Sequence, residues 1–207
     1  STQYWQSRAS LVSSSEGGTM DFSESSRVRQ FLISGAESYN RFNSLAHNGY
    51  GGRQCFFPSN NLHIGALMRA LVSNLEEWVV DGEQPLDSIY PKIYDETLVE
   101  ASSMFLPSLV KENFRGALNG SGDMEFGPRV KFNRGVVDLL VPEVIANHKV
   151  LVPAVDQFGH DIAGIRHPHI EVPMGTHLGW NLRTTEFGGG DLCDENGSFI
   201  PLSLDDS

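Results

Sequence analysis

The sequence is short of positive charge. It has 15 lysine and arginine residues against 26 aspartate and glutamate residues, which gives a formal net charge of −11. The basic residues are scattered along the chain, whereas a protein that binds a phosphate backbone needs them clustered. No apolar run approaches the roughly eighteen residues that a membrane-spanning helix requires. We therefore expect no nucleic-acid partner and no membrane span.

Cysteine is scarce as well. The two cysteines, Cys55 and Cys193, lie far apart and can either form one long-loop disulfide or remain two buried thiols. The chain has no C-x-x-C, no H-E-x-x-H and no cluster of cysteine with histidine, which are the patterns that hold zinc. We therefore expect no structural zinc and no bound cofactor.

The sequence also lacks the usual nucleophile motif of serine esterases. That motif, G-x-S-x-G, places a serine on a tight turn between a strand and a helix, where the glycines permit the strained geometry. The nearest approach is Gly120-Ser121-Gly122, which lacks the first glycine of the motif and has no strong strand before it. We interpret this segment as a flexible loop.

Apolar periodicity predicts two regular elements. Residues 27–35 begin with alternation and end in an apolar run, which is typical of a strand buried in an α/β sheet. Between Asn60 and Gly82 apolar residues recur at helical spacing, so we expect an amphipathic helix that packs on a large body. Its expected cap is Asn60 or Asn61, and its expected end is Asp81 with the glycine that follows. The apolar positions are Ile64, Leu67, Met68, Leu71, Val72, Leu75, Trp78 and Val79.

The chain changes character after the predicted helix. Proline recurs, and short apolar runs such as 136–141 and 150–155 alternate with glycine, asparagine and aspartate turns. This composition predicts loops and short strands with few helices. A boundary near residues 83–86 fits either a second domain or a tail wrapped on the same core.

Histidines supply the candidate metal ligands and bases. In an extended segment, His167 and His169 lie on one face and suit a shared metal, but no carboxylate joins them at a fixed spacing. Two structural histidines fit this pattern better than a metal site. His47 lies in the long loop after the predicted strand, where proteins built on such sheets carry catalytic side chains.

Several stretches of the chain, taken in order, carry a resemblance to one family. They cover most of the sequence, and residues 97–147 resemble the family least. The stretches are S-T-Q-Y-W at 1–5 with R-A-S-L at 8–11, then 34–36, 71–82, 151–156, 163–166, 179–183, and 192–193 followed by 197–201. In these segments the chain is similar to the large bacterial and fungal proteins described as alpha/beta hydrolase domain-containing proteins.

The resemblance implies an α/β-hydrolase fold, a mostly parallel sheet flanked by helices, of which this chain is the C-terminal part. It implies that residues 1–82 complete the hydrolase core and that residues 83–207 form a loop-rich, short-strand extension packed on the same core. The nucleophilic serine would then lie before Ser1. The rest of the sheet would come from an N-terminal part of the same protein or from a partner chain. It also implies that Cys55 and Cys193 form a disulfide tying the extension to the core.

The resemblance further indicates where the acid and base of a catalytic triad would lie. The family pattern resembles S-T-E-Y-W where this chain has Gln3, and G-[TA]-Q-H where it has Ser38. Glutamine cannot carry the charge that stabilises an imidazolium, and serine cannot accept the proton of the nucleophile at neutral pH. In the alternative arrangement, His47 takes the position of the missing base, and Glu37 or another carboxylate serves as its acid partner.

These features favour a non-catalytic hydrolase-like segment used for binding, assembly or structure. The alternative is a serine ester hydrolase whose nucleophile lies on an upstream segment or a partner chain, with His47 as base. A free-standing small domain fits less well, because one parallel strand with one helix cannot bury its faces. A disulfide favours a secreted or periplasmic location, and Asn119 and Asn196 lie in N-glycosylation sequons that matter in a eukaryotic secretory route.

Overall fold

The structure, a computed structural model, describes residues 1–38, 54–101, 128–131, 141–189, 192–193 and 195–202. Within these ranges the helices are α1 (Thr2–Gln6), α2 (Gly65–Val80) and α3 (Pro168–Glu171). Short 3₁₀ turns cover Ala9–Val12 and Thr185–Phe187. The strands are β1 (Leu98–Glu100), β2 (Pro128–Val130), β3 (Val144–Asn147), β4 (Leu151–Pro153), β5 (Gly175–Leu178) and β6 (Ser198–Pro201).

The six strands pair as three antiparallel ladders. β1 pairs with β4, β2 with β3, and β5 with β6. β4 and β5 are buried along their whole length, whereas every residue of β3 is exposed. The predicted mostly parallel sheet is therefore not formed by the named strands of the described chain. Strands of three or four residues between frequent turns pair most readily with an antiparallel neighbour, because parallel ladders need long crossovers.

The segment predicted to be a buried strand keeps a trace of parallel pairing. It makes one parallel bridge on each side, Phe31 with Ile89 and Ile33 with Ile165. The Leu32 N–H donates to the carbonyl of Ile89 at 2.8 Å, and the Ile165 N–H donates to the carbonyl of Leu32 at 2.7 Å. The pairing ends after one residue on each side, so this segment is an extended link between two neighbours rather than a sheet strand.

The long helix forms where the apolar periodicity predicts it. α2 ends at Val80 with Asp81 as its C-cap, and Gly82 follows with φ +75°, a left-handed conformation that glycine adopts without strain. The N-cap residue of the helix is Ile64, and no side chain caps the helix start. The prediction that Asn60 or Asn61 caps the helix is wrong, because the amide of Asn60 is bonded to backbone groups elsewhere in the fold.

The two apolar sides of α2 differ in burial. Leu67, Leu71 and Trp78 are half-buried, and the guanidinium of Arg29 lies 5.0 Å from the ring of Trp78. A neighbouring apolar stripe is between 44% and 75% exposed; it consists of Met68, Val72, Leu75 and Val79. The expectation that the apolar face packs on a large body is therefore not met within the described residues. None of the helices described is long and apolar enough to cross a membrane.

The main core joins side chains from both ends of the described chain. Trp5 of α1 and Trp180, which follows β5, are buried with their ring centroids 5.7 Å apart. Further buried side chains surround them: Tyr4, Leu32, Phe57, Tyr90, Leu98, Leu151, Val152, Leu178, Leu182 and Ile200. Removal of this apolar surface from water is the main favourable term in folding. Residues on both sides of position 82 thus contribute to one core.

A disulfide joins Cys55 to Cys193, with the Cα atoms 5.6 Å apart. This confirms the predicted pairing. Both cysteines are buried, and Cys55 also makes an antiparallel bridge with Arg183. The bond therefore holds the segment before α2 against the C-terminal part of the chain.

Candidate functional site

The two positions expected to hold the acid and base of a triad lie side by side. Gln3 is in α1, and Ser38 follows the turn at residues 34–36. The Nε2 of Gln3 donates a hydrogen bond to the Oγ of Ser38. The fold thus brings together two residues that lie 35 positions apart in the sequence.

Backbone contacts hold this pair in place. The Thr2 N–H donates to the carbonyl of Ala36 at 3.3 Å, and the Gly35 N–H donates to the Oδ2 of Asp161 at 2.9 Å. Gly35 has φ +66°, and a Cβ at this position would lie 2.8 Å from the carbonyl oxygen of His177. Only glycine fits these two conditions. The glycine turn therefore directs the residues after it toward α1.

Glu37, next to Ser38, is a buried carboxylate with a structural contact. Its Oε2 accepts a hydrogen bond from the Gly197 N–H at 2.9 Å. A Cβ on Gly197 would lie 2.5 Å from the carbonyl oxygen of Leu178 and 2.9 Å from the Cβ of Glu37, so this approach requires glycine. The Glu37 carboxylate, the proposed acid partner of His47, therefore anchors the C-terminal segment.

A cavity of about 310 Å³ opens beside Gln3 and Ser38. Its other lining residues are Ser1, Tyr4, Phe31, Leu32, Ile33, Ala36, Glu37 and Ile64. No imidazole occurs among these described lining residues. Burial raises the pKa of the Tyr4 phenol, which therefore stays neutral at physiological pH. The cavity, called the Gln3–Ser38 cavity below, offers mainly neutral hydrogen-bonding groups with a single carboxylate.

The remaining candidate residues fall elsewhere. His47 and Asn119 lie outside the described residues. Asn196 is buried, and its Nδ2 donates to the carbonyl of Cys193 at 3.0 Å. Ser198, the third residue of this sequon, is fully buried with its Oγ bonded to a backbone carbonyl. Both the asparagine and the serine of this sequon are therefore buried in the folded chain.

The histidine pair singled out by the sequence belongs to a larger group of imidazoles. His167 and His169 lie at the start of α3 rather than in an extended segment, yet their ring centroids are 4.9 Å apart. His169 stacks on His177 with 6.3 Å between centroids, and His177 stacks on His160 at 6.1 Å. Within the described part of the chain, no group of three or more His, Cys, Asp or Glu side chains is placed to hold a metal ion.

Hydrogen bonds fix the position of the proton on His177. The Asn60 Nδ2 donates to the carbonyl of Leu178 at 3.0 Å, and the Asn60 Oδ1 accepts from the Leu62 N–H at 2.9 Å, which sets the orientation of the amide. Because Oδ1 can only accept, His177 Nδ1 carries the proton in their 3.1 Å contact. Burial, and then the neighbouring imidazoles, lower the pKa of His177 to about 3. At neutral pH the ring is thus uncharged, and no described residue donates a hydrogen bond to the lone pair of its Nε2.

His160 is held in the same tautomer. Its Nε2 accepts a hydrogen bond from the backbone N–H of His177 at 3.0 Å, so the proton of the neutral ring lies on Nδ1. Burial lowers the pKa of His160, which keeps this second ring neutral as well. Sequence patterns did not single out His160 or His177, because one lies in a turn and the other in a short strand with no motif around either.

The comparisons with known proteins agree with the sequence resemblance at the level of the family. A family profile with the description "Alpha/beta hydrolase domain" matches residues 12–206, nearly the whole chain. The match includes Ser38, both cysteines and all of the stacked histidines, and it begins after Gln3. No curated protein and no solved structure shows a significant match.

Proposed function

This chain belongs to the alpha/beta hydrolase domain family, and on that premise we propose that it is a non-catalytic member, a pseudoenzyme whose body serves binding or assembly. The observation that carries the proposal is the contact between Gln3 and Ser38. At these two positions the resemblance expects a carboxylate and an imidazole. An amide and a hydroxyl meet there instead.

The chemistry of this pair argues against activation of a serine nucleophile. In a serine triad the imidazole accepts the proton of the serine, and the carboxylate stabilises the imidazolium that forms. The Gln3 amide has no charge to offer, and the Ser38 hydroxyl is not basic at neutral pH. Replacement of the acid alone lowers kcat by about 10⁴-fold in a serine protease. With both partners replaced, ester hydrolysis should fall to background.

The Gln3–Ser38 cavity supports a binding role. Its walls combine apolar side chains such as Phe31 and Ile64 with the neutral polar groups of Gln3, Tyr4 and Ser38. This mixture is typical of sites that recognise small molecules. We place ligand binding, rather than turnover, at this cavity.

We also propose that an N-terminal part of the same protein, or a partner chain, completes the sheet. The single parallel bridges at Phe31 and Ile33 support this, because parallel pairing is stable mainly within larger covered sheets. The exposed apolar stripe of α2 gives further support. The Cys55–Cys193 disulfide supports a secreted or periplasmic location, since disulfides persist in oxidising compartments.

One observation favours an alternative function, a serine ester hydrolase with His47 as base and a nucleophile on an upstream segment or a partner chain. Glu37 is a buried carboxylate that lines the Gln3–Ser38 cavity. An imidazole that entered this cavity would therefore find an acid beside it. In this alternative the lost pair would be replaced by residues from the same region of the chain.

A fluorophosphonate probe on the natural full-length protein separates the two functions, because it labels activated serines. We expect no labelled serine in the folded protein. Labelling that disappears in the His47→Gln variant would establish the esterase and overturn the non-catalytic proposal.

A restoration experiment tests the assignment of the altered pair. The double variant Gln3→Glu with Ser38→His should gain hydrolysis of p-nitrophenyl butyrate when the full-length protein supplies a nucleophile. The matched control, Gln84→Glu with Ser26→His, alters two exposed positions and should gain nothing. Equal activity in both double variants would count against the assignment.

A further inference from the structure

A second cavity, of about 360 Å³, lies beside the stacked histidines and shares no lining residue with the Gln3–Ser38 cavity. Its walls are mostly apolar, with three polar side chains among them. The lining residues are Asn61, His169, Val172, Met174, His177, Phe199, Pro201 and Leu202. Apolar cavities of roughly 300–1,000 Å³ with a few polar groups are the usual form of small-molecule sites. We call it the histidine cavity.

Two of the three polar side chains that line the histidine cavity, Asn61 and His177, carry hydrogen-bond acceptors; the third is the imidazole of His169. The Oδ1 of Asn61 is buried, and no donor among the described residues reaches it. His177 gives its only proton to Asn60, so its remaining nitrogen, Nε2, is an acceptor. Because the Oδ1 of Asn61 is closed to solvent, the acceptor that a ligand in the cavity can reach is the Nε2 of His177.

The acceptor at His177 also disfavours negative charge. Because His177 is neutral, it offers no cation to an anionic ligand, and a carboxylate would face the lone pair of its Nε2. A cationic ligand would lose its hydration without meeting a carboxylate among the described lining residues. The rings of His177 and Phe199, 4.9 Å apart, instead form an aromatic wall that suits a flat apolar ring.

We propose that the histidine cavity binds a small uncharged aromatic molecule that carries one hydroxyl or N–H donor, of which phenol is the simplest. The ring lies against Phe199, and the donor bonds to the Nε2 of His177. Val172 and Met174, which are 77% and 82% exposed, form an apolar rim through which the ligand enters. This binding does not depend on whether the protein hydrolyses esters.

Isothermal titration calorimetry of the purified protein with three probes tests the chemistry of the ligand. Phenol should bind saturably, and at least tenfold more tightly than either anisole or benzoate. Anisole keeps the ring but has no O–H donor, and benzoate keeps the ring but adds negative charge. The proposal is overturned by absence of saturable phenol binding, by equal affinities for phenol and anisole, or by tighter binding of benzoate.

Three variants test the location. His177→Phe removes the Nε2 acceptor and should abolish the preference for phenol over anisole. Met174→Trp should block the entrance, and because Met174 is exposed the chain should fold normally. Met20→Trp is the matched control, since Met20 is also exposed and does not line the cavity. Phenol binding that survives Met174→Trp unchanged, or that is lost equally in Met20→Trp, would overturn the assignment to this cavity.

Discussion

Removal of the Cys55–Cys193 disulfide should produce a large loss of stability. The bond joins residues separated by 138 positions. A crosslink that closes a loop of this length lowers the entropy of the unfolded chain. In the chain-entropy treatment this raises the free energy of unfolding by about 5 kcal/mol at 25 °C, whereas measured disulfide effects are typically about 2–4 kcal/mol. We expect the double variant Cys55→Ala with Cys193→Ala to lower the free energy of unfolding by about 3–5 kcal/mol. Alanine is chosen because both sites are buried and a serine hydroxyl would need a partner there.

Urea denaturation, monitored by tryptophan fluorescence, measures this loss in the free energy of unfolding. Trp5 and Trp180 are packed together in the core, so their emission reports on its disruption. The oxidised protein, the protein treated with reductant and the double alanine variant should be compared at one pH. Reductant should lower the stability of the natural protein toward that of the variant, and it should leave the variant itself unchanged.

Two results would refute this reasoning. The first is a folded, unreduced protein in which both thiols react with a thiol reagent, since the crosslink would then not exist. The second is a crosslinked protein whose unfolding free energy changes by less than about 0.5 kcal/mol on reduction. In that case the unfolded chain would already be compact enough for the crosslink to restrict it little.

Three further predictions concern buried polar side chains. Asn60→Ala should lower the free energy of unfolding, measured by urea denaturation, by at least about 3 kcal/mol, because buried backbone groups and an imidazole lose their hydrogen-bond partners. Asn74→Ala on α2 is the control, and an equal loss in both variants would contradict the prediction. The pKa of His177 is about 3 in the folded protein and about 6.5 in the unfolded chain. Its contribution to the free energy of unfolding is therefore complete above pH 6.5 and is lost as the pH falls toward 3, by up to about 1.4 kcal/mol per pH unit. Urea midpoints at pH 7 and pH 5 should therefore differ less in His177→Gln than in His63→Gln, and identical slopes would refute the assignment. Mass spectrometry of protein secreted from a eukaryotic host should find Asn196 unmodified, and a glycan on the natively folded chain would contradict its burial.

Local patterns predicted the elements that local interactions determine. α2 lies where apolar residues recur at helical spacing, and it ends at Val80, with Asp81 as its C-cap before a glycine with positive φ. The predicted cap failed because the amide of Asn60 is bonded to Gly35 and Leu178, which are distant in sequence. A competition between a local cap and a tertiary contact cannot be judged from the residues around the helix alone.

The candidate sites divide in the same way. Gln3 and Ser38 were identified through segments that resemble a family, and the fold joins them directly. The acceptor of Asn61 and the lone pair of His177 follow only from how distant backbone groups bond, so no motif pointed to them. Residues 27–35 were expected to form a strand of a parallel sheet, but they make only two parallel bridges within the described chain. Both partners of that segment are short extended pieces rather than strands.

Those two bridges also constrain the order in which the protein can fold during synthesis. Ile33 leaves the ribosome long before its partner Ile165, by on the order of ten seconds at roughly 5–20 residues per second. During this interval one edge of the extended segment has unpaired backbone groups, and such edges recruit other chains. A nascent chain that stalls before Ile165 therefore keeps an edge with unpaired backbone N–H and C=O groups. We expect such truncated chains to depend on chaperones or to aggregate.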